Sequence, residues 1–152
     1  MRRLLVFVGP VFAMVIIFFF ISGYFSSTRC KNGVVKISGS TTTFRVSLAT
    51  TQSEWSHGLS GHAPLSPDEG MLFLFPSPSV RIFWMKDMLF SLDIIWVDKD
   101  WNVVGIAEHA TPESYPNTFS SQVPVERVLE IPAFDGRRSP VHIGDRLVFS
   151  CS

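Results

Sequence analysis

The densest group of side chains able to do chemistry lies in the segment Trp84-Met85-Lys86-Asp87, which is followed by Asp93. A lysine beside two carboxylates can bind a polar ligand. It can also hold the pKa values of the two acids apart, so that one of them serves as a general acid or base. Asp93 stands between Leu92 and Ile94 in a very apolar run, where an uncompensated charge is costly. Asp93 therefore needs a partner, and the alternatives are a bound ligand or a structural ion pair with Lys86.

Aromatic residues occur beside these polar groups and elsewhere in the chain, which contains four tryptophans. The apolar face of a sugar ring stacks on an aromatic side chain, while its hydroxyls bond to Asp, Glu or Lys. The alternative role, cross-strand packing in a sheet, is favoured for Trp96. We predict a groove for a polar ligand such as a glycan, formed by Trp84, Lys86, Asp87, Asp93 and His62.

Other chemistry is less well supported by the residue spacing. His57 and His62 are five residues apart, which matches no strong zinc motif, so we expect no metal and no cofactor. Ser60 precedes His62 where a nucleophile elbow would need a glycine. The sequence favours binding over catalysis. The alternatives are a hydrolase that uses Asp93 or Asp87 as acid or base, and a non-catalytic role in assembly.

The N-terminal segment is long and apolar. No charged residue occurs between Leu4 and Thr28, and Arg2 and Arg3 precede this stretch. A helix over Leu4–Tyr24 would be roughly 30 Å long, which is about the thickness of the hydrocarbon core of a bilayer. We therefore predict that this helix crosses the cytoplasmic membrane and contacts its lipids.

The two arginines at the start favour a cytoplasmic N-terminus, because basic flanks resist translocation. We divide the chain into a signal anchor, residues 1–29, and an extracytoplasmic domain, residues 30–152. A cleaved signal peptide is the main alternative. It is disfavoured by the length of the apolar run and by the lack of an A-x-A pattern after it. Lipid attachment at Cys30 is disfavoured because Arg29 directly precedes the cysteine.

The charge balance argues against a nucleic-acid partner. The sequence holds 13 basic and 13 acidic residues, and three arginines lie in residues 1–29, so residues 30–152 carry a small excess of acid. Nucleic-acid binding requires a basic surface. Nothing in the sequence defines an oligomeric state.

The chain has two cysteines, Cys30 and Cys151, at the two ends of the predicted extracytoplasmic domain. Outside the cytoplasm a cysteine pair is usually oxidised. We predict a disulfide between them, which requires Cα atoms within about 7 Å. The alternative is two free thiols. Neither cysteine belongs to a CxxC pair, so catalysis by a thiolate is not expected.

Alternation of apolar and polar residues with a period of two dominates residues 30–152 and predicts strands. Leu92–Val97 and the run after Asp98-Lys99-Asp100 are expected to form a hairpin. The predicted strands are Val34–Ile37, Phe44–Ala49, Met71–Phe75, Val80–Trp84, Leu92–Val97, Val103–Ala107, Val125–Ile131 and Arg146–Cys151.

Helix is predicted only locally. Thr51-Gln52-Ser53-Glu54 and Ser66-Pro67-Asp68-Glu69 both have the S/T-x-x-E pattern of a helix start, and each is soon followed by a glycine. The fold class is therefore mainly β, a β-rich α+β domain. We expect a small barrel-like or strongly curved antiparallel sheet with two short helices, behind one transmembrane helix. The predicted core consists of Phe44, Val46, Leu48, Leu59, Leu72, Phe73, Ile94, Trp96, Val104, Ile106, Val128, Leu129 and Val148.

Four sequence blocks together carry a family resemblance: HGLSGHAPLSPDEGMLFLF from His57, FWMKDMLFSLDIIWVD from Phe83, VPVERVLEIPA and IGDRL. Over roughly residues 35–148 the chain resembles the family called domain of unknown function 192. The resemblance implies a small β-rich domain, often behind a signal peptide or anchor, with no established activity. The chain departs from the family pattern at His62, at Asp87-Met88 and at Phe134. A family site that uses the usual arginine or asparagine at the first two places would be altered here.

Overall fold

In a computed structural model, which describes residues 30–133 and 139–152, the chain forms a seven-stranded mixed sheet, a two-stranded ribbon and one short α-helix. The predicted anchor, Leu4–Tyr24, and Phe134 lie outside these residues. The elements are β1 (Asn32–Ile37), β2 (Thr43–Ala49), α1 (Gln52–His57), β3 (Glu69–Ser79), β4 (Ile82–Trp84), β5 (Leu92–Val97), β6 (Val103–Ala110), a 3₁₀ turn (Pro112–Ser114), β7 (Thr118–Ser120), β8 (Val125–Pro132) and β9 (Leu147–Cys151).

The mainly-β prediction is confirmed, as are the β5–β6 hairpin and the predicted strands, except that the strand predicted from Val80 begins at Ile82. The strand β7, which pairs with β4, was not predicted. No helix within residues 30–133 and 139–152 has the length and apolar character needed to cross a membrane.

The sheet has the strand order β6-β5-β8-β3-β2-β1-β9. The expectation of a purely antiparallel sheet is wrong, because β2 and β3 pair in parallel, from Arg45 opposite Glu69 to Ala49 opposite Phe73. Parallel neighbours need a crossover connection, and the chain through α1 provides it.

A closed barrel is also wrong for the described residues, since no ladder joins β6 to β9. The two edges meet only near one bridge, between Asn102 and Arg146. The Leu147 amide donates to the Trp101 carbonyl beside this bridge, at 2.8 Å.

The two faces of the sheet carry separate apolar clusters. Successive side chains of a strand point to opposite faces, so Leu72 joins one cluster and Phe73 joins the other. On β5 every residue is buried, and Ile95 faces the first cluster while Ile94 and Trp96 face the second. The central strands are therefore buried on both sides, which explains their nearly continuous apolar sequences.

Most of the predicted core is confirmed. Leu48, Val104 and Ile106 are only partly buried. Val148 is 51% exposed, so its place in the predicted core is wrong. It lies on the edge strand β9, where Leu147 faces the core and Val148 faces the opposite side. The buried members of the predicted core are Phe44, Val46, Leu59, Leu72, Phe73, Ile94, Trp96, Val128 and Leu129.

The two predicted helix starts have different outcomes. At Thr51 the capping box is complete, since its hydroxyl accepts from the Glu54 amide and the Glu54 carboxylate accepts from the Thr51 amide. The hydrogen bond from the Thr50 amide to the same carboxylate, together with those from Thr51, lowers the pKa of Glu54. The second predicted helix is wrong. The Glu69 carboxylate does accept from the Ser66 amide at 3.0 Å, but Glu69 begins β3 and pairs with Arg45, so the motif closes a turn.

A disulfide joins Cys30 and Cys151, whose Cα atoms are 5.8 Å apart. It links the chain just before β1 to the last residue of β9, and these two strands are antiparallel neighbours. The bond closes a loop of 121 residues, which contains nearly all of the domain.

We predict that reduction lowers the free energy of unfolding by about 4 to 5 kcal/mol, because an open chain has more unfolded-state entropy. Urea unfolding with and without reductant measures this, and mass spectrometry should show a gain of two hydrogens. The Cys30→Ser/Cys151→Ser variant is the control. Its free energy of unfolding should equal that of the reduced protein and should not change when reductant is added. Two free thiols in the untreated protein would contradict the prediction.

Candidate functional site

A pocket of about 430 Å³ lies between one face of the sheet and the elements that cover it, α1, the loop after it and β4. We call it the aromatic pocket, since five aromatic side chains line it: Trp55, Phe73, Phe75, Phe83 and Trp84. A pocket of this volume falls in the range of small-molecule sites.

The walls of the aromatic pocket are held in place by ring packing. Phe73 and Phe83 meet edge to face, with ring centroids 5.1 Å apart, and Trp55 packs on Phe75 at the same distance. The Trp55 indole also donates to the Ala49 carbonyl at 2.9 Å, which fixes α1 against β2. Trp84 is 54% exposed, so its ring presents a free surface at the pocket.

A buried acid, Glu130 of β8, also lines the aromatic pocket. It lies opposite Met71 of β3 and Ile94 of β5, on the face that the pocket covers. Its side chain is buried, and Oε2 has no hydrogen-bond partner in the part of the chain that the structure describes. Burial raises the pKa of Glu130 to about 8, so the carboxyl is protonated at neutral pH and can donate a hydrogen bond.

The same pocket contains a cation, Arg81. Its guanidinium lies over the Phe75 ring, 3.8 Å from the centroid, and Nη2 donates to the Ser77 carbonyl. Nε is buried and has no partner among residues 30–133 and 139–152. Desolvation lowers the pKa of Arg81, but an arginine stays charged at neutral pH. Arg81 and Glu130 thus bring two unpaired polar atoms to one pocket.

The structure does not bring the five predicted ligand residues into a single groove. Trp84 lines the aromatic pocket, whereas His62 lines a second depression with Arg45 and Glu69. The rings of His62 and His57 are 6.1 Å apart, and His57 lines the aromatic pocket, so the two depressions are close neighbours.

Lys86 and Asp87 are exposed in the turn after β4. Their carbonyls accept from Ser60 Oγ and the Gly61 amide, at 3.0 and 2.8 Å, which ties this turn to the loop after α1. Lys86 forms no ion pair with Asp93 in the described structure, so the ion-pair alternative is wrong.

Asp93 is buried on the face of β5 opposite to Ile94, and therefore away from the aromatic pocket. Its Oδ1 accepts from the His109 amide at 2.8 Å, whereas Oδ2 is buried and has no hydrogen-bond partner among the described residues. Desolvation is the main cause that raises the pKa of Asp93. His109 has a φ of 57°, next to the place where the β5–β6 register shifts. Asp93 thus stabilises an irregularity of the sheet.

The sequence prediction missed Glu130 and Arg81 as site residues. Glu130 had a signal, since it is an acid within the apolar strand sequence VLEIP, as Asp93 is within LDII. No sequence signal pointed to Arg81, because a single arginine after Ser79-Val80 resembles any surface cation. Within residues 30–133 and 139–152, no three His, Cys, Asp or Glu side chains are grouped so as to hold a metal ion.

Comparison with known proteins supports the family resemblance. Residues 33–149 match the model of the DUF192 family, described as an uncharacterised ACR. No curated protein matches the chain significantly. A crystal structure from Sinorhizobium meliloti 1021, provisionally described as a transcription regulator, is 33% identical, with a TM-score of 0.73 over 79% of this chain and 95% of its own. A protein of unknown function from Novosphingobium aromaticivorans DSM 12444 is also 33% identical, with a TM-score of 0.69 over 76% of this chain and 83% of its own.

We predict that Glu130 makes the protein less stable as the pH rises. Its folded pKa of about 8 is above the ordinary 4.5, so between these values the unfolded chain loses a proton that the folded chain keeps. The free energy of unfolding should therefore fall from pH 4.5 to pH 8, by on the order of 4 kcal/mol, and level off above that.

Urea unfolding at several pH values measures this. Glu130→Gln should remove most of the decline, so that the variant is more stable than the wild type at pH 8. Asp87→Asn, at an exposed position, is the control and should keep the wild-type slope. Parallel pH profiles for wild type and Glu130→Gln would refute the assignment.

Proposed function

The chain belongs to the DUF192 family, and we propose that it is a binding module for a polar ligand of the cell envelope, such as a glycan. In this proposal the N-terminal segment anchors it in the cytoplasmic membrane and the aromatic pocket is the binding site. One observation carries the proposal: a pocket with aromatic walls contains a buried carboxyl, Glu130, whose Oε2 has no partner in the described structure.

The chemistry of the aromatic pocket suits a sugar ring. Trp84 offers an exposed ring on which the apolar face of a sugar can stack. Glu130, Ser60 and His57 also line the pocket and can hydrogen-bond to hydroxyl groups. The volume of about 430 Å³ would accommodate one or two sugar rings.

The placement outside the cytoplasm is supported by the sequence and by the disulfide. The uncharged stretch Leu4–Tyr24 is long enough to cross a bilayer, and Arg2 and Arg3 favour a cytoplasmic N-terminus. The bond between Cys30 and Cys151 is of a kind that persists in oxidising compartments.

The alternatives lack a specific supporting observation. A glycoside hydrolase would need two carboxyls roughly 5 to 9.5 Å apart across a cleft. Glu130 is the carboxyl residue among the described lining residues of the aromatic pocket, and Asp93 lies on the other face of the sheet. Transcription regulation, as described for the Sinorhizobium relative, fits poorly with the acidic excess of residues 30–152.

We predict that Trp84→Ala weakens saccharide binding about tenfold, through the loss of one stacking surface. Thermal-shift screening of the full chain in detergent against cell-wall mono- and disaccharides would identify binders, and calorimetry would give the affinities. Tyr115→Ala is the matched control, since Tyr115 is 47% exposed outside the pocket. The proposal fails if no saccharide stabilises the protein, or if Trp84→Ala binds as tightly as the wild type.

We also predict that a protease added to spheroplasts digests residues 30–152, because these residues should face the outside. Immunoblotting with a C-terminal epitope measures the loss, and a cytoplasmic protein that stays intact serves as the control. A C-terminal domain that is protected until lysis would contradict the anchor.

A further inference from the structure

Two polar atoms in the aromatic pocket need a partner that the described residues do not supply. Arg81 Nε and Glu130 Oε2 are both buried and without a hydrogen bond there. Buried polar groups are rarely left unpaired in folded proteins, because each one loses its hydrogen bonds to water. Since both side chains line the same pocket, one bound molecule can satisfy both of them.

Both groups act as donors at neutral pH. An arginine has donors and no acceptor. Glu130 keeps its proton because burial raises the pKa to about 8, so its carboxyl can donate as well. The complementary ligand group is an acceptor with at least two oxygens, and a carboxylate has two.

The charges around the pocket favour an anion. The titratable and charged side chains that face it from the described residues are Arg81, Glu130 and His57. With Glu130 neutral, Arg81 gives the pocket a positive charge, and a neutral ligand would leave this half-buried charge uncompensated. Lys86 and Asp87 are exposed on the neighbouring turn and do not line the pocket.

Resting on the proposed function, we infer that the ligand is an acidic sugar whose carboxylate is bound by Arg81 and Glu130 while its ring stacks in the aromatic pocket. The carboxylate accepts one hydrogen bond from the guanidinium and one from the protonated carboxyl. A carboxyl–carboxylate hydrogen bond of this type is short and strong. When Glu130 ionises it loses this donor and repels the ligand, so binding weakens in alkaline solution.

Calorimetry on the full chain in detergent tests this with matched pairs of sugars. N-acetylmuramic acid is compared with N-acetylglucosamine, which lacks the lactyl ether that carries the carboxylate. Glucuronate is compared with glucose, which has a hydroxymethyl group in place of the carboxylate. At pH 7 we expect the acid of at least one pair to bind about tenfold more tightly than its neutral partner. Arg81→Gln should remove this preference, so that the acid and its neutral partner bind with similar affinity.

Arg127→Gln is the matched control, since the Arg127 guanidinium also stacks on an aromatic ring, that of Trp101 at 4.5 Å, but lies outside the pocket. It should bind as the wild type does. From pH 7 to pH 9 the affinity of the wild type for the acid should fall about tenfold. The side chain in Glu130→Gln keeps a donor and does not titrate, so the affinity of this variant for the acidic sugar should stay nearly constant from pH 7 to pH 9. His57 and Arg81 are present in both proteins, so a difference between the two pH profiles reports on Glu130.

The outcomes separate this inference from the proposed function. If acidic and neutral sugars bind equally, the inference is overturned and the binding module stands. If the acids are preferred but Arg81→Gln keeps the preference, the assignment of the carboxylate to Arg81 is overturned. If no sugar of either kind binds, both proposals are overturned. Arg81→Lys keeps the charge and should retain the preference in part. It therefore shows whether a loss of preference in Arg81→Gln comes from the missing charge or from a folding defect.

Discussion

The fold depends on the burial of its central strands on both faces. Strands β3, β5 and β8 place apolar side chains on either side of the sheet, and each face must be shielded from water. One face is enclosed by the curvature of the sheet itself, whose edges meet near Asn102 and Arg146. The other needs separate cover from α1, the loop after it and the β4–β7 ribbon. The aromatic pocket lies where this second layer leaves space above the sheet.

Burying the carboxyl of Glu130 at this place lowers the free energy of unfolding. An apolar residue there would join the cluster around Ile94 and Val128 without a desolvation penalty. The carboxyl instead has to stay protonated, and at neutral pH this lowers the stability of the folded state relative to an unfolded chain whose glutamate ionises freely. Residues that break the rules of core packing are concentrated at functional sites. The penalty is therefore consistent with a role in binding, since Glu130 also lines the pocket that contains Arg81.

The parts of the fold that depend on local sequence could be predicted, and the parts that depend on pairing could not. Alternation is enough to find a strand such as β2, and the capping box is enough to find α1. The same S/T-x-x-E pattern failed at Ser66, because the pairing of Glu69 with the distant Arg45 draws the chain into β3. The three-residue β7 carries too few residues for a period to appear. The candidate site was only partly predicted, through Trp84.

Asp93 and Glu130 show why the site was harder to predict than the strands. Both are acids in apolar strands, and their local sequences do not tell them apart. In the sheet Glu130 lies opposite Ile94, so Asp93, one residue earlier on β5, must face the other way. Asp93 then accepts a hydrogen bond from the His109 amide and stabilises the sheet, whereas Glu130 faces the covering layer and the pocket. A register slip of one residue would exchange the two faces of a strand. The assignment of the functional acid therefore depends on the register between β5 and β8, which is a property of the assembled sheet and not of either strand.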